Sequence, residues 1–178
     1  MQEKSTKKRN RKAYLIAILI VTAGLIIYFM FRPTEEQISF VQNETIEIPF
    51  TNQGELFFID QNSSDTLAVI EIEVSDTDEK RARGLMYRSS IPENSGMLFI
   101  QDYEEMQGFW MKNTYISLDM IFVNSENEIV TIHHNTTPLR EWNYSSTEPA
   151  IYIVEVNGGF CNKNGIKMGD KIEFKITD

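Results

Sequence analysis

The sequence predicts an α+β fold: a small β-rich barrel or rolled sheet with one main helix, preceded by an N-terminal transmembrane helix. Three observations carry this expectation. Residues 14–31 form an uncharged apolar run, eight strand-like stretches follow from residue 54 onward, and one capped helical stretch interrupts them.

The apolar run YLIAILIVTAGLIIYFMF holds 18 residues and no charge. As a helix it spans about 27 Å, close to the thickness of a bilayer's hydrocarbon layer. It has no polar face of the kind a core helix carries. A cleaved signal peptide has a shorter apolar core and a small-residue cleavage site, whereas Phe31-Arg32-Pro33-Thr34-Glu35 follows here. Six bases precede the run and only Arg32 follows it closely, so the N-terminus is expected in the cytoplasm and the remainder outside. The organisation expected is a basic cytoplasmic tail over 1–13, a transmembrane helix over 14–31, a polar tether over 32–45 and a β-rich extracytoplasmic domain over 46–178.

Within that domain, residues 54–60 and 66–74 read as strands joined by a turn-rich stretch. In the second, Val69, Glu71 and Glu73 alternate with Ile70, Ile72 and Val74. A helix is expected over 77–86, with Asp76 as its cap, Glu79 in capping-box spacing, and Ala82, Leu85 and Met86 on its apolar side. Further strands are expected at 96–100, 108–112, 118–123, 128–133, 150–156 and 171–176. Asn124-Ser125-Glu126-Asn127 reads as a hairpin loop in which Asn127 tolerates a positive φ. A short helical turn is expected at 160–164, ended by Gly165.

Charge and cysteine content narrow the function classes. The 178-residue chain has a net charge of −9, but residues 1–32 hold seven Lys/Arg against one acid, and the rest holds ten bases against 25 acids. A domain with a net charge of −15 repels phosphate backbones, so no nucleic-acid partner is expected. The single cysteine, Cys161, excludes an intrachain disulfide, and the fold must rest on its core.

Several separated blocks carry a family resemblance: Arg81-Ala82-Arg83-Gly84-Leu85-Met86-Tyr87-Arg88, Gly96-Met97-Leu98-Phe99, Phe109-Trp110-Met111-Lys112-Asn113-Thr114, Leu118-Asp119-Met120-Ile121-Phe122, Glu155-Val156-Asn157-Gly158-Gly159 and Gly165-Ile166-Lys167-Met168-Gly169-Asp170. In this order and spacing they resemble the domain of unknown function 192 family, from about Leu67 to Phe174. The resemblance implies a compact β-rich fold, often on exported or anchored proteins, and no assigned activity. Cys161 stands where the pattern suggests a small or polar residue, and the 124–127 loop lacks the usual Asp-Gly.

A polar ligand-binding pocket is the functional expectation, built from Arg83, Arg88, Lys112, Asn113, Thr114, Asp119 and Glu155. On a strand through 108–112, Trp110 and Lys112 share one side, and Lys112-Asn113-Thr114 sits where the strand turns. Asp119 lies inside an apolar run, where a carboxylate must be paired or hydrogen-bonded. It reads either as a pocket residue or as a structural acceptor tied to an arginine, Arg83 or Arg88, or to backbone amides. Glu155 closes another apolar run before Gly158-Gly159, as a cleft acid or as a strand-end charge. His133 and His134 are adjacent and face opposite sides of a strand, so they do not share an ion. Met86, Met97, Met106, Met111 and Met120 show no ligand repeat and read as core fillers. No serine elbow, phosphate loop, zinc spacing or signature around Cys161 is present, so no metal or cofactor is expected. The function expected is a membrane-anchored binding or interaction domain for a small polar ligand, a glycan or an envelope protein. The alternative is a hydrolase-like enzyme using Asp119 and Glu155 as an acid/base pair.

Overall fold

The computed structural model describes residues 3–32 and 48–177, with side chains described from Tyr14. The expected tether falls largely outside the described residues. The chain divides into two compact units, Met1–Ile46 and Glu47–Asp178.

The first unit contains α1 (Glu3–Phe31). Its segment Tyr14–Phe31 is long and apolar enough to cross a membrane, and none of it is buried within the structure. The helix also takes in most of the basic segment read above as a tail.

The second unit is a mixed α+β fold dominated by a seven-stranded sheet. Its elements are β1 (Gly54–Ile59), β2 (Thr66–Ser75), α2 (Asp78–Arg83), β3 (Ser95–Glu105), β4 (Gly108–Phe109), β5 (Leu118–Val123), β6 (Ile129–His133), β7 (Tyr144–Ser145), β8 (Ala150–Asn157), α3 (Phe160–Asn164) and β9 (Lys171–Ile176). The strand order is β6-β5-β8-β3-β2-β1-β9, and β4 pairs with β7 as a separate two-stranded ribbon. β2 and β3 run parallel, joined through α2, and the other neighbours are antiparallel.

The sheet is rolled but does not close into a barrel. Its two edge strands, β6 and β9, approach through the isolated bridge Glu128↔Lys171, just before β6, and the bonds Ile129 N–H to Asp170 O and Ile172 N–H to Asn127 O. Asn127 has φ 62°, as the turn requires, and the Asn124 side chain accepts the Glu126 and Glu128 amides. These bonds hold the β5–β6 turn against β9 without a continuous ladder.

Both faces of the sheet are covered. One core gathers Leu56, Phe58, Ile70, Ile72, Val74, Leu98, Val154 and Val156 beneath Phe160, Cys161 and Ile166. The other packs Met97, Phe99, Met120, Phe122 and Ile153 against Leu85, Ile91 and Met111. The alternation in β2 therefore reads differently from a half-solvated strand: Glu73 and Ser75 are buried on the second face.

Two local predictions need correction. The main helix is only Asp78–Arg83, and its cap is Thr77, whose Oγ1 accepts the Lys80 amide. Asp76 instead pairs with Lys80 at 2.7 Å. The helix stops at Gly84, with φ 46°, where an added Cβ would lie 3.1 Å from the Phe99 ring. The strand expected over 108–112 ends at Phe109, because Met111 N–H bonds Arg140 O and Asn113 adopts φ 54°.

Candidate functional site

Strand register places one row of side chains across the second face: Glu73 on β2, Met97 on β3, Glu155 on β8, Met120 on β5 and His133 on β6. The two acids in this row have different surroundings. Glu73 meets Arg88 at 2.6 Å, both nearly inaccessible, while Arg88 Nε and Nη1 lack hydrogen-bond acceptors among the described residues. Glu155 is only 4% exposed and has no hydrogen-bonding or ionic partner among the described residues. Burial alone pushes its carboxyl up to about 8, so the acid form prevails at neutral pH.

Glu155 lines a cavity of about 460 Å³. α2 and the segment after it supply Arg81, Arg83, Leu85 and Met86, and β3 supplies Phe99 and Gln101. The β4 region adds Gln107, Phe109 and Trp110, and Thr114, Glu141 and Asn143 complete the opposite side. The wall is held by edge-to-face rings: Phe99–Phe109 at 5.0 Å, Phe109–Phe122 at 6.0 Å, Phe122–His133 at 5.8 Å and His133–Tyr144 at 5.3 Å. Such contacts fix the β4–β7 ribbon over the sheet. On the other side Arg81 ties α2 to β3 through Ile100 O at 2.8 Å and Asp102 at 3.1 Å.

The residues expected to form one pocket thus separate. Arg83, Thr114 and Glu155 share the cavity. Arg88 is committed to Glu73. Lys112 lies over the Trp110 ring, 5.2 Å from its centroid, and Asn113 donates to Tyr87 Oη at 2.7 Å.

Asp119 lies elsewhere. It is fully buried, and its register partner is Val156, so it projects from the face opposite Glu155. The acid/base pair therefore does not converge. Among the described residues no arginine contacts Asp119; of the two supports expected for a structural acceptor, an arginine or backbone amides, it has the second. Its Oδ1 accepts the Asn135 and Gly159 amides at 2.8 and 3.0 Å, and its Oδ2 accepts the Cys161 amide at 2.9 Å. Gly159, at φ 85°, caps α3 without a side chain, and Asp119 supplies the missing acceptor from a neighbouring strand.

His134 Nδ1 stands 3.8 Å from Asp119 Oδ2, and the ligand-type atoms of Asp119, His134 and Cys161 lie within 4.8 Å of one another. Sequence spacing gave no sign of this cluster. Both Asp119 oxygens already accept backbone amides, and burial and the Asp119 charge push the Cys161 thiol upward, away from nucleophile character. Its evident role is to tie β5 to α3. His133, by contrast, packs between Phe122 and Tyr144 and bonds Ser145 O, as the opposed orientation predicts. Met97, Met111 and Met120 are core side chains.

Sequence reasoning missed the cavity's other walls: Arg81, Leu85, Met86, Phe99, Phe109, and the amides of Gln101, Gln107 and Asn143. The first five fall inside the blocks that carry the family resemblance.

The sequence profile of DUF192, described as uncharacterized ACR, matches residues 59–174. The chain belongs to the DUF192 family. It is 31% identical over 111 residues to UPF0127 protein PF1050 of Pyrococcus furiosus, covering 59% of this chain and 87% of the relative. Two crystal structures are similar, each at 34% identity. A Sinorhizobium meliloti 1021 protein described as a candidate transcription regulator aligns with TM-score 0.65 over 71% of this chain and 98% of its own. A protein of unknown function from Novosphingobium aromaticivorans aligns with TM-score 0.63 over 67% and 83%. Every wall block of the cavity lies within the span shared with the family profile.

Proposed function

We propose that this DUF192 protein is a membrane-anchored binding module whose extracytoplasmic domain takes a small polar ligand in the cavity above Glu155. The observation that carries the reading is a buried carboxyl, without a partner among the described residues, at an aromatic-walled cavity. An isolated buried polar group is destabilising unless something satisfies it, and open cavities with a few convergent polar groups are the usual form of ligand sites. The apolar segment Tyr14–Phe31 and the basic residues before it support anchoring with the domain outside the cytoplasm. The net charge of −15 on the remainder speaks against a nucleic-acid ligand, whatever the description of the Sinorhizobium relative. Catalysis by an Asp119–Glu155 pair loses its geometric basis because the two carboxyls leave opposite faces of the sheet.

A small-molecule thermal-shift screen tests the binding reading. Ligands should raise the melting temperature of the native protein and lose their effect on filling the cavity by Leu85→Trp. Hits unaffected by that change would place binding elsewhere. Anchoring is tested by carbonate extraction: the protein should stay with membranes, and protease outside intact cells should remove the domain. A mature species beginning after residue 31 would contradict it.

A further inference from the structure

We propose that the cavity takes a compact cationic amine, whose ammonium group seats on the Glu155 carboxylate while its carbon chain lies against the aromatic wall. The inference rests on the reading of the cavity as a ligand site and names the class of ligand.

Glu155 sits in the middle of the row on the second face of the sheet. Its lateral neighbours are Met97 and Met120, both buried, and neither offers a hydrogen bond strong enough to hold a charge. The partner must therefore enter from the cavity. Phe99, Phe109, Leu85 and Met86 make much of the wall apolar. Aromatic faces attract cations, and a carboxylate largely removed from water gains more from a charge-assisted bond than an exposed one. A neutral alcohol satisfies the acid form by one hydrogen bond; an ammonium group supplies a full counter-charge directly at the carboxyl, with which no cationic side chain among the described residues pairs.

The other ionisable groups around the cavity do not supply that charge. Arg81 is already bonded to Asp78 and Asp102. Arg83 and Glu141, both exposed, are of opposite sign. Along the sheet row, Glu73 is paired with Arg88, and His133 lies beyond Met120.

Binding then has a defined proton balance. Glu155–COOH and R–NH₃⁺ become the ion pair Glu155–COO⁻···⁺H₃N–R, and one proton leaves to solvent. Because the free carboxyl holds its proton up to about pH 8, the apparent affinity should rise with pH below that value.

The experiment is calorimetry on the full chain in non-ionic detergent with three probes: n-butylamine, n-butanol and glucose. Butylamine should bind at least about tenfold more tightly than butanol at pH 7.5, and its affinity should rise by about tenfold per pH unit between pH 6 and 7. Buffers of different ionisation enthalpy should report one proton released. Glu155→Gln, a near-isosteric change, should remove both the preference and the proton release. Butanol or glucose binding in the cavity without butylamine binding would overturn the amine class while leaving the cavity reading intact. Failure of all three probes overturns the amine proposal, and the wider thermal-shift screen then decides the cavity reading separately.

Discussion

Replacing Glu155 by Gln should stabilise this protein, and by an amount that depends on pH. In the unfolded chain the Glu155 carboxyl ionises near its ordinary value of 4.5, while in the fold burial holds the proton on until about 8. Below pH 4.5 both states are protonated and burial carries no ionisation penalty. Between those values the unfolded state binds fewer protons than the folded one, so wild-type stability falls as pH rises. Each pH unit corresponds to about 1.36 kcal/mol, which makes the deficit about 3 kcal/mol at pH 7 and about 5 kcal/mol above pH 8. Solvent reaching the cavity lowers these figures. Glutamine keeps the shape of the protonated acid and has no proton to lose. Both cores are built from residues 56–172, so urea unfolding of residues 47–178 provides the assay. Glu155→Gln should match wild type at pH 4.5 and exceed it by about 3 kcal/mol at pH 7. The comparison cancels the titration of every other group. A variant less stable than wild type at pH 7, or a difference that does not change with pH, would mean that Glu155 has an ionic partner in the fold, and the cavity reading would lose its foundation.

Asp119→Ala should lower stability by on the order of 4 kcal/mol, because the Asn135, Gly159 and Cys161 amides lose their common acceptor. A fall in melting temperature of less than a few degrees would refute that role; ligand binding by the surviving folded protein should be unchanged. Arg88→Met should cost about 3–5 kcal/mol by stranding the Glu73 carboxylate, and the double change Glu73→Gln with Arg88→Met should recover most of it in a urea double-mutant cycle. Gly159→Ala should cost about 1–2 kcal/mol, since the α3 cap adopts φ 85°, and a neutral effect would show that the turn relaxes.

The strands were legible because their alternation and bounding turns are local properties. The 124–127 turn and the 160–164 helix could likewise be read from residues able to take positive φ, Asn127 and Gly165. The stretch 110–114 could not. Its strand-like apolar content is overridden by a bond from Met111 to Arg140, 29 residues away, and by the left-handed Asn113. The alternation in β2 placed Glu73 opposite Ile72 and Val74 but did not show which face is covered; Glu73 is buried because the segment after α2 covers the second face as well. For Asp119 the need for satisfaction was visible in the sequence, with an arginine or backbone amides as its support; which amides serve was not, because backbone groups carry no residue-type signal. Glu155 was visible as an acid in an apolar run. Its cavity was not, because the walls come from stretches that only the register of β3, β5 and β8 brings together.

Mapping bound ligands onto the structure decides whether the cavity above Glu155 is the ligand site of this domain. Fragments that stabilise residues 47–178 should be titrated into isotopically labelled protein and followed by NMR. The largest shifts should fall on Leu85, Met86, Phe99, Phe109, Trp110 and Thr114, with the Glu155 side-chain carboxyl carbon responding in the same titration. Shifts concentrated at Asp119, His134 and Cys161, or scattered over the surface while the Glu155 carboxyl stays unmoved, would contradict it.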